Sequence, residues 1–334
     1  MLKKKSKYDI LFIGDMTTDV FIRLEDAKLH CKTSKAGCEL CLKFGDKIPY
    51  KDTREIYAVG NAPNASVCAS RLGLKALLLT NIGDDEKGKK CLETLTRKGV
   101  STELVKKEKG KQSNCHFVLS YEKDRTILVK HTEFKYALPT LPEVSWIYLS
   151  SLAENSIPYH AEIMRYLKKH PEIKLAFSPG TFQIKLGVER LKNVYKRSNV
   201  FFSNLQEAQR ILNLKSTDPL LLSKKINALG PEIVVISDSK NGAYLYWSEE
   251  LWHIPLYQNN SPVLDKTGAG DSFSATIVSA LVMGLSPREA FMWGPINPMS
   301  VLQKIGAQEG LLTKTQLKTY LKNAPRSYKL KKLN

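Results

Sequence analysis

The 334-residue sequence has no run approaching the roughly 20 apolar residues that a membrane-spanning helix needs. Behind Lys3-Lys4-Lys5 stands only Ile10-Leu11-Phe12-Ile13, too brief for a secretory signal peptide. Six cysteines at irregular positions make no disulfide framework, so a reducing, cytoplasmic setting is expected. Repeats and low-complexity segments are also absent. Acidic residues are scarce, with 33 Asp and Glu against 51 Lys and Arg, a formal charge of +18. Such an excess raises the question of nucleic acid or another polyanion. The basic residues, however, are scattered in pairs such as Lys89-Lys90, Lys168-Lys169 and Lys224-Lys225 without interleaved aromatics. That pattern fits a solvated lysine-rich surface, and nucleic acid is not an expected partner.

Hydrophobic residues at 43% and charged residues at 25% are ordinary for a globular chain, and the length allows one large α/β domain or two ordinary ones. The most informative stretch is Asp265-Lys266-Thr267-Gly268-Ala269-Gly270-Asp271, which runs into the apolar segment Ser272 to Leu281. Glycines there let successive N–H groups turn toward one point, and a following helix adds its free donors and dipole, a setting that holds phosphate. A carboxylate beside that site, Asp271, suits the base that takes a proton from a hydroxyl attacking phosphorus, and the dipole is expected to keep it ionised. The plainer alternative is a turn closed by an N-capping Asp.

Along the chain, Tyr8 to Gly14 reads as a buried strand, which puts Asp19 near its carboxyl end as a grip for polar substrate groups or as a turn carboxylate. Phe21 to Tyr57 breaks into short strand-like pieces, an excursion able to fold over a site. It holds His30, Cys31, Cys38 and Cys41, which match four zinc ligands loosely and small lid residues better. Asn61 and Asn64 open a helix that ends near Gly73, placed for hydroxyl groups or for capping. Gly83 to Lys90 nearly spells a P-loop. Its three acidic residues, and Lys90 where a hydroxyl is needed, exclude that reading. Gln112 to Ser120 and Arg125 to His131 alternate as a hairpin around Glu122-Lys123-Asp124. Strands at Trp146 to Leu149, Ile173 to Phe177 and Val200 to Phe202 alternate with helices, which predicts a mostly parallel sheet covered on both faces. Asn204 and Glu207, three apart at a helix start, suit either magnesium-bound water near phosphates or a capping box. After strand Glu232 to Ser237, an edge hairpin over Tyr244 to Ile254 and helices Pro287 to Lys304 and from Lys314 complete the pattern.

Taken together, Gly14 to Asp19, Gly60 to Asn64 with Gly73 and Gly83-Asp84-Asp85, Asn204-x-x-Glu207, and Gly268-Ala269-Gly270-Asp271 resemble the ribokinase-like, or PfkB-type, carbohydrate kinases over nearly the whole chain. The resemblance implies one α/β domain over residues 1–334. It would be a three-layer sandwich around a mostly parallel sheet, with lid segments near 20–57 and 111–135. It implies ATP-dependent transfer of the γ-phosphoryl group to a hydroxyl of a small sugar or sugar acid, with an adenosine-like nucleoside as the alternative acceptor. Asp271 would be the base and Gly268, Ala269 and Gly270 the anion hole. Asp19, Gly60, Asn61 and Asn64 would hold the acceptor. Asn204, Glu207, Ser237 and Gly242 would serve the nucleotide, Glu207 by way of Mg2+-bound water, and Asp265 would help bind a monovalent cation such as K+. A homodimer through the lid is a further expectation. Cys115, Phe117, Phe134 and Tyr136 would line a slot for a nucleoside base or form the lid's own core. Val59, Lys266, Thr276 and Ser239 depart from the family pattern, and after Tyr148 to Ser151 no acidic residue stands in the place where ribokinases have one for the sugar. A competing reading is a polyanion-binding or regulatory protein that kept the fold and lost the chemistry.

Overall fold

Ile10, Leu11, Phe12 and Ile13 are all fully buried, and they divide between two cores. Ile10 and Phe12 join the cluster containing Leu78, Tyr148 and Phe202. Leu11 and Ile13 join the one containing Leu77, Ile147 and Phe201. A strand whose alternate side chains enter different cores must lie inside a sheet with both faces covered, which is why the run is continuously apolar. In the computed structural model, which describes residues 7–31, 38–122, 124–259 and 261–334, that strand is β1 (Tyr8–Ile13).

The large sheet continues from β1 through β6 (Ala76–Gly83) to β7 (Ser101–Glu108) on one side. On the other side lie β10 (Val144–Leu149), β11 (Lys174–Phe177), β12 (Val200–Asn204) and β13 (Ile233–Ser237). These seven strands are parallel. Beyond β13 the sheet turns antiparallel through β14 (Ala243–Trp247), β15 (Glu250–Ile254) and the short β16 (Lys331–Lys332). The expected edge hairpin is therefore not an edge, because the chain's last residues add a strand to it. Helices Asn61–Arg71 and Ala269–Val282 contribute to the first core, and Ile157–Lys169 and Val188–Arg197 to the second. The expected helix Pro287 to Lys304 is two, Pro287–Trp293 and Ile296–Val301. Gly294 marks the break, where an added Cβ would meet the Phe273 and Ile277 side chains within 3 Å.

A second sheet of four strands has the order β5-β2-β8-β9, from β2 (Thr17–Leu24), β5 (Tyr50–Val59), β8 (Asn114–Tyr121) and β9 (Asp124–Lys130). The segments expected as lid thus build one small sheet. Asp19 sits within β2 rather than in a turn. Lys123, in the expected hairpin turn, and Lys3-Lys4-Lys5 lie outside the described residues.

A separate ladder pairs β3 (Lys28–Cys31) with β4 (Cys38–Cys41), and a disulfide joins Cys31 to Cys38 across it. One cysteine pair is oxidised, and two of the four proposed zinc ligands are spent on each other. Among the described residues no group of three or more His, Cys, Asp or Glu could hold a metal ion. No helix among them is long and apolar enough to cross a membrane.

Candidate active site

The helix Ala269–Val282 starts at Gly268, whose φ of +77° is a left-handed conformation suited to glycine. An added Cβ there would lie 2.3 Å from Ala307 Cβ. No side chain caps this helix, so its first N–H groups point out unpaired, as at any bare helix start. Outside its own helix nothing lies within 4 Å of where a Gly270 Cβ would be, so the helix start is open on that side.

Asp271 is the third residue of the helix and does not cap it. Its Oδ1 accepts from Asn61 Nδ2 at 2.6 Å and its Oδ2 from Asn64 Nδ2 at 2.7 Å. The capping alternative is thereby excluded. The two asparagines open the neighbouring helix Asn61–Arg71, where Gly60 stands just before the first turn with φ +116° and an added Cβ would lie 2.7 Å from the Asp15 carbonyl oxygen. Gln308 Nε2 donates to Asn64 Oδ1 at 2.8 Å, which turns the Asn64 amide nitrogen toward Asp271. Burial lifts the Asp271 carboxyl above its ordinary range, against the bonds from Asn64 and Asn61. Burial thus works against the helix dipole that is expected to keep Asp271 ionised, and a raised pKa makes the group a stronger base.

A cavity of about 120 Å³ brings Asn61, Asn204, Glu207, Ser237, Gly270 and Asp271 onto one wall. These residues come from four separate chain segments and meet beyond the carboxyl ends of β12 and β13, where ligands gather in open α/β sheets. Asn204 and Glu207 form a reciprocal capping box, with Glu207 N–H to Asn204 Oδ1 and Asn204 N–H to Glu207 Oε2 both at 2.8 Å. Burial raises the Glu207 carboxyl. Gly242 lies outside this lining set, and an added Cβ on it would come within 2.2 Å of the Ile254 carbonyl oxygen. Ser178, Pro179, Phe202, Ser203, Phe273 and Ser274 complete the lining and were not singled out from the sequence. Ser178 and Pro179, just past the end of β11, carried the one signal available, their place after an apolar strand.

Asp265, expected to help bind a cation, is 8% exposed and already saturated with donors. Thr267 N–H and Oγ1 and the Gly306 N–H donate to it, and Arg125 Nη1 of β9 reaches its Oδ1 at 2.5 Å. Burial works to raise this carboxyl, but Thr267, Gly306 and the Arg125 charge hold it below the ordinary range. A guanidinium from the small sheet thus pairs with the carboxylate that was expected to help bind a monovalent ion. Asp19 faces His116 of β8, with Oδ1 to Nδ1 at 3.5 Å.

Asp15 was also missed. Tyr136 Oη donates to both its oxygens at 2.7 and 2.9 Å, and burial pushes its pKa up to about 6. The four residues offered for a base-binding slot are not gathered into one. Phe134 is buried, Tyr136 is held by Asp15, and Cys115 and Phe117 alternate away from His116 on β8. Two departures from the family pattern have structural accounts. Thr276 Oγ1 accepts from Asn297 Nδ2 at 2.8 Å in the core, and Ser239 adopts φ +46° where glycine would be relaxed.

The sequence model described as pfkB family carbohydrate kinase matches residues 29–314. The chain is similar to the ribokinase of Bacillus subtilis, 26% identical over 272 residues that span 78% of this chain and 87% of that one. Among solved structures, the nucleoside kinase of Methanocaldococcus jannaschii superposes with a TM-score of 0.77 at 18% identity, covering 96% of this chain and 100% of that one. The ribokinase of Arabidopsis thaliana, complexed with ribose and ATP, superposes with a TM-score of 0.79 at 17% identity, covering 94% and 99%. These superpositions identify the α/β fold as ribokinase-like.

Proposed function

This chain belongs to the pfkB family of carbohydrate kinases, phosphotransferases that act on sugars or nucleosides, and on that footing we propose that it moves the γ-phosphoryl group of ATP to a hydroxyl of a small sugar or sugar acid. The observation that carries this reading is the meeting of Asp271 with Gly270, in the uncapped first turn of the helix that follows Gly268, in the lining of one cavity. Asp271 takes the proton of the attacking hydroxyl. The amides of Gly268, Ala269 and Gly270, with the helix dipole behind them, offset the charge developing on the transferring group. Asn61 and Asn64 aim the Asp271 carboxylate, and together with Gly60 and Asp19 they hold the acceptor. Asn204, Glu207 and Ser237, with Gly242 behind them, serve the nucleotide. A carboxylate of Glu207 suits Mg2+, which keeps several waters and neutralises phosphate charge when bound. The small sheet acts as the lid, and a homodimer forms through it.

A nucleoside acceptor is the weaker reading, because the residues offered for a base slot are dispersed. Screening sugars, sugar acids and nucleosides in a coupled ADP-release assay tests the proposal. Asp271→Asn should keep ATP binding while lowering kcat by about 10²- to 10⁴-fold. Full activity in that variant would remove Asp271 from the role of base. Salt-steep nucleic acid binding with no acceptor phosphorylated would point instead to the polyanion-binding protein.

A further inference from the structure

The small sheet turns one face toward the active site, and its register identifies which. Ser120 and Arg125 are partners in β8 and β9, as are His116 and Val129. Strand residues an even number apart share a face, so His116 and Arg125 project from the same one. Arg125 reaches Asp265, just ahead of Gly268. Asp19 pairs with His116 on one side and with Ile56 of β5 on the other, and a Cβ added to Gly306 would lie 2.7 Å from Ile56 Cδ1. Gly306 in turn donates to Asp265, so a second strand gives the same answer. His131 follows β9. Its ring meets His116 edge-on at 5.4 Å and Phe182 at 5.2 Å. Phe182 lies three residues beyond Pro179 of the Asp271 cavity, so the rings bridge the small sheet and the main body.

Three atoms of this wall, Asp19 Oδ1, His116 Nε2 and His131 Nδ1, are shut off from solvent and make no hydrogen bond, Asp19 Oδ1 having only the 3.5 Å approach of His116 Nδ1. A buried polar atom left unpaired is destabilising, and a guest that supplies the missing bonds removes that cost. The carboxylate oxygen accepts, and each imidazole nitrogen donates or accepts according to tautomer. Neighbouring hydroxyls match that set. A flat base would leave it unsatisfied. A carboxylate or phosphate would face the charge of Asp19, while Arg125 on the same face is already paired with Asp265. Burial, and then the His116 ring, hold His131 below the usual histidine range.

We propose that His116 and His131, beside Asp19, are specificity residues that read two neighbouring hydroxyls of a neutral sugar acceptor. The inference rests on the kinase reading and narrows its acceptor to a neutral polyol, excluding sugar acids. The test follows the imidazole resonances of the full chain by NMR, with a non-hydrolysable ATP analogue present. Neutral monosaccharides, the matching sugar acids and nucleosides are titrated in turn, and turnover of each is measured separately. A neutral sugar should shift both imidazoles, and its affinity should fall about tenfold or more in His116→Phe and in His131→Phe while analogue affinity holds. Silence of both imidazoles toward every compound, or a stronger response to a sugar acid, overturns the inference without needing either variant to fold. An acceptor that is phosphorylated while leaving both rings unmoved sinks the inference and leaves the kinase reading standing. A neutral sugar that moves both rings but is never phosphorylated does the reverse.

Discussion

Two carboxyls near the site, Asp15 and Asp271, owe their raised pKa values to burial, but they differ in what holds them. Asp271 is gripped by two neutral amides and opens onto the cavity, so its strengthened basicity is available to a substrate. Asp15 is 9% exposed and bound to Tyr136, so its cost falls on folding. Its folded pKa of about 6 lies above the ordinary value of 3.8, so the folded chain keeps a proton that the unfolded chain releases between them. Stability from this group is therefore fully present below pH 3.8 and is lost as the pH rises through about 6. The rise from 3.8 to about 6 corresponds to about 3 kcal/mol. Asp15→Asn keeps an oxygen for Tyr136 and cannot ionise. Urea unfolding should show it more stable than the natural chain by up to about 3 kcal/mol at pH 8 and nearly equal to it at pH 4. An equal difference at both pH values would mean that the Asp15 charge is not the cause.

At the scale of elements, the loop Asp265 to Gly268 is tied to the small sheet by one ion pair, Arg125 to Asp265. Without Arg125, Asp265 would keep its Thr267 and Gly306 donors but lose the charge that faces it, so removing Arg125 should loosen the loop that sets the cradle. Arg125→Gln is expected to lower kcat by about tenfold or more and to create a response to K+ that the natural chain lacks. Rate measurements in K+ against choline decide it, and a strong K+ activation of the natural chain would show that Arg125 does not stand in for the ion. The sequence conceals this pair because 140 residues separate its members and only the docking of β9 joins them. Local features are legible. Gly268 to Asp271 carries its meaning within one turn, and Ile10 to Ile13 announces a doubly covered strand by unbroken apolarity. Strand β7 is not assigned from the sequence, since Lys106, Lys107 and Glu108 make it read as polar surface, and only parallel pairing to β6 makes it a strand. The break at Gly294 depends on Phe273 and Ile277, which arrive from another helix. Asp19 and Asn61 are legible as polar residues near element ends, whereas the hold of Asn61 on Asp271 spans 210 residues.

For the whole molecule, charge and shape act in opposite directions on self-association. Strand β9 closes one side of the small sheet, and its Ile127, Leu128 and Val129 are 44%, 52% and 57% exposed. An apolar strand at a sheet edge offers unpaired backbone groups and side chains to another copy. Ile127 and Val129 share the face that looks toward the active site, and Leu128 shares the other with Phe117. A partner lid would therefore cover both. Against this stands the formal charge of +18, which repels a second copy over a distance set by salt. Sedimentation velocity should accordingly find a dimer that tightens as sodium chloride is raised, the opposite of an interface held by ion pairs. Leu128→Lys places a charge on the covered face and should leave a monomer at micromolar concentration. A natural chain that stays monomeric at high salt, or a Leu128→Lys variant that dimerises equally well, would show that the lid edge is not where two copies meet.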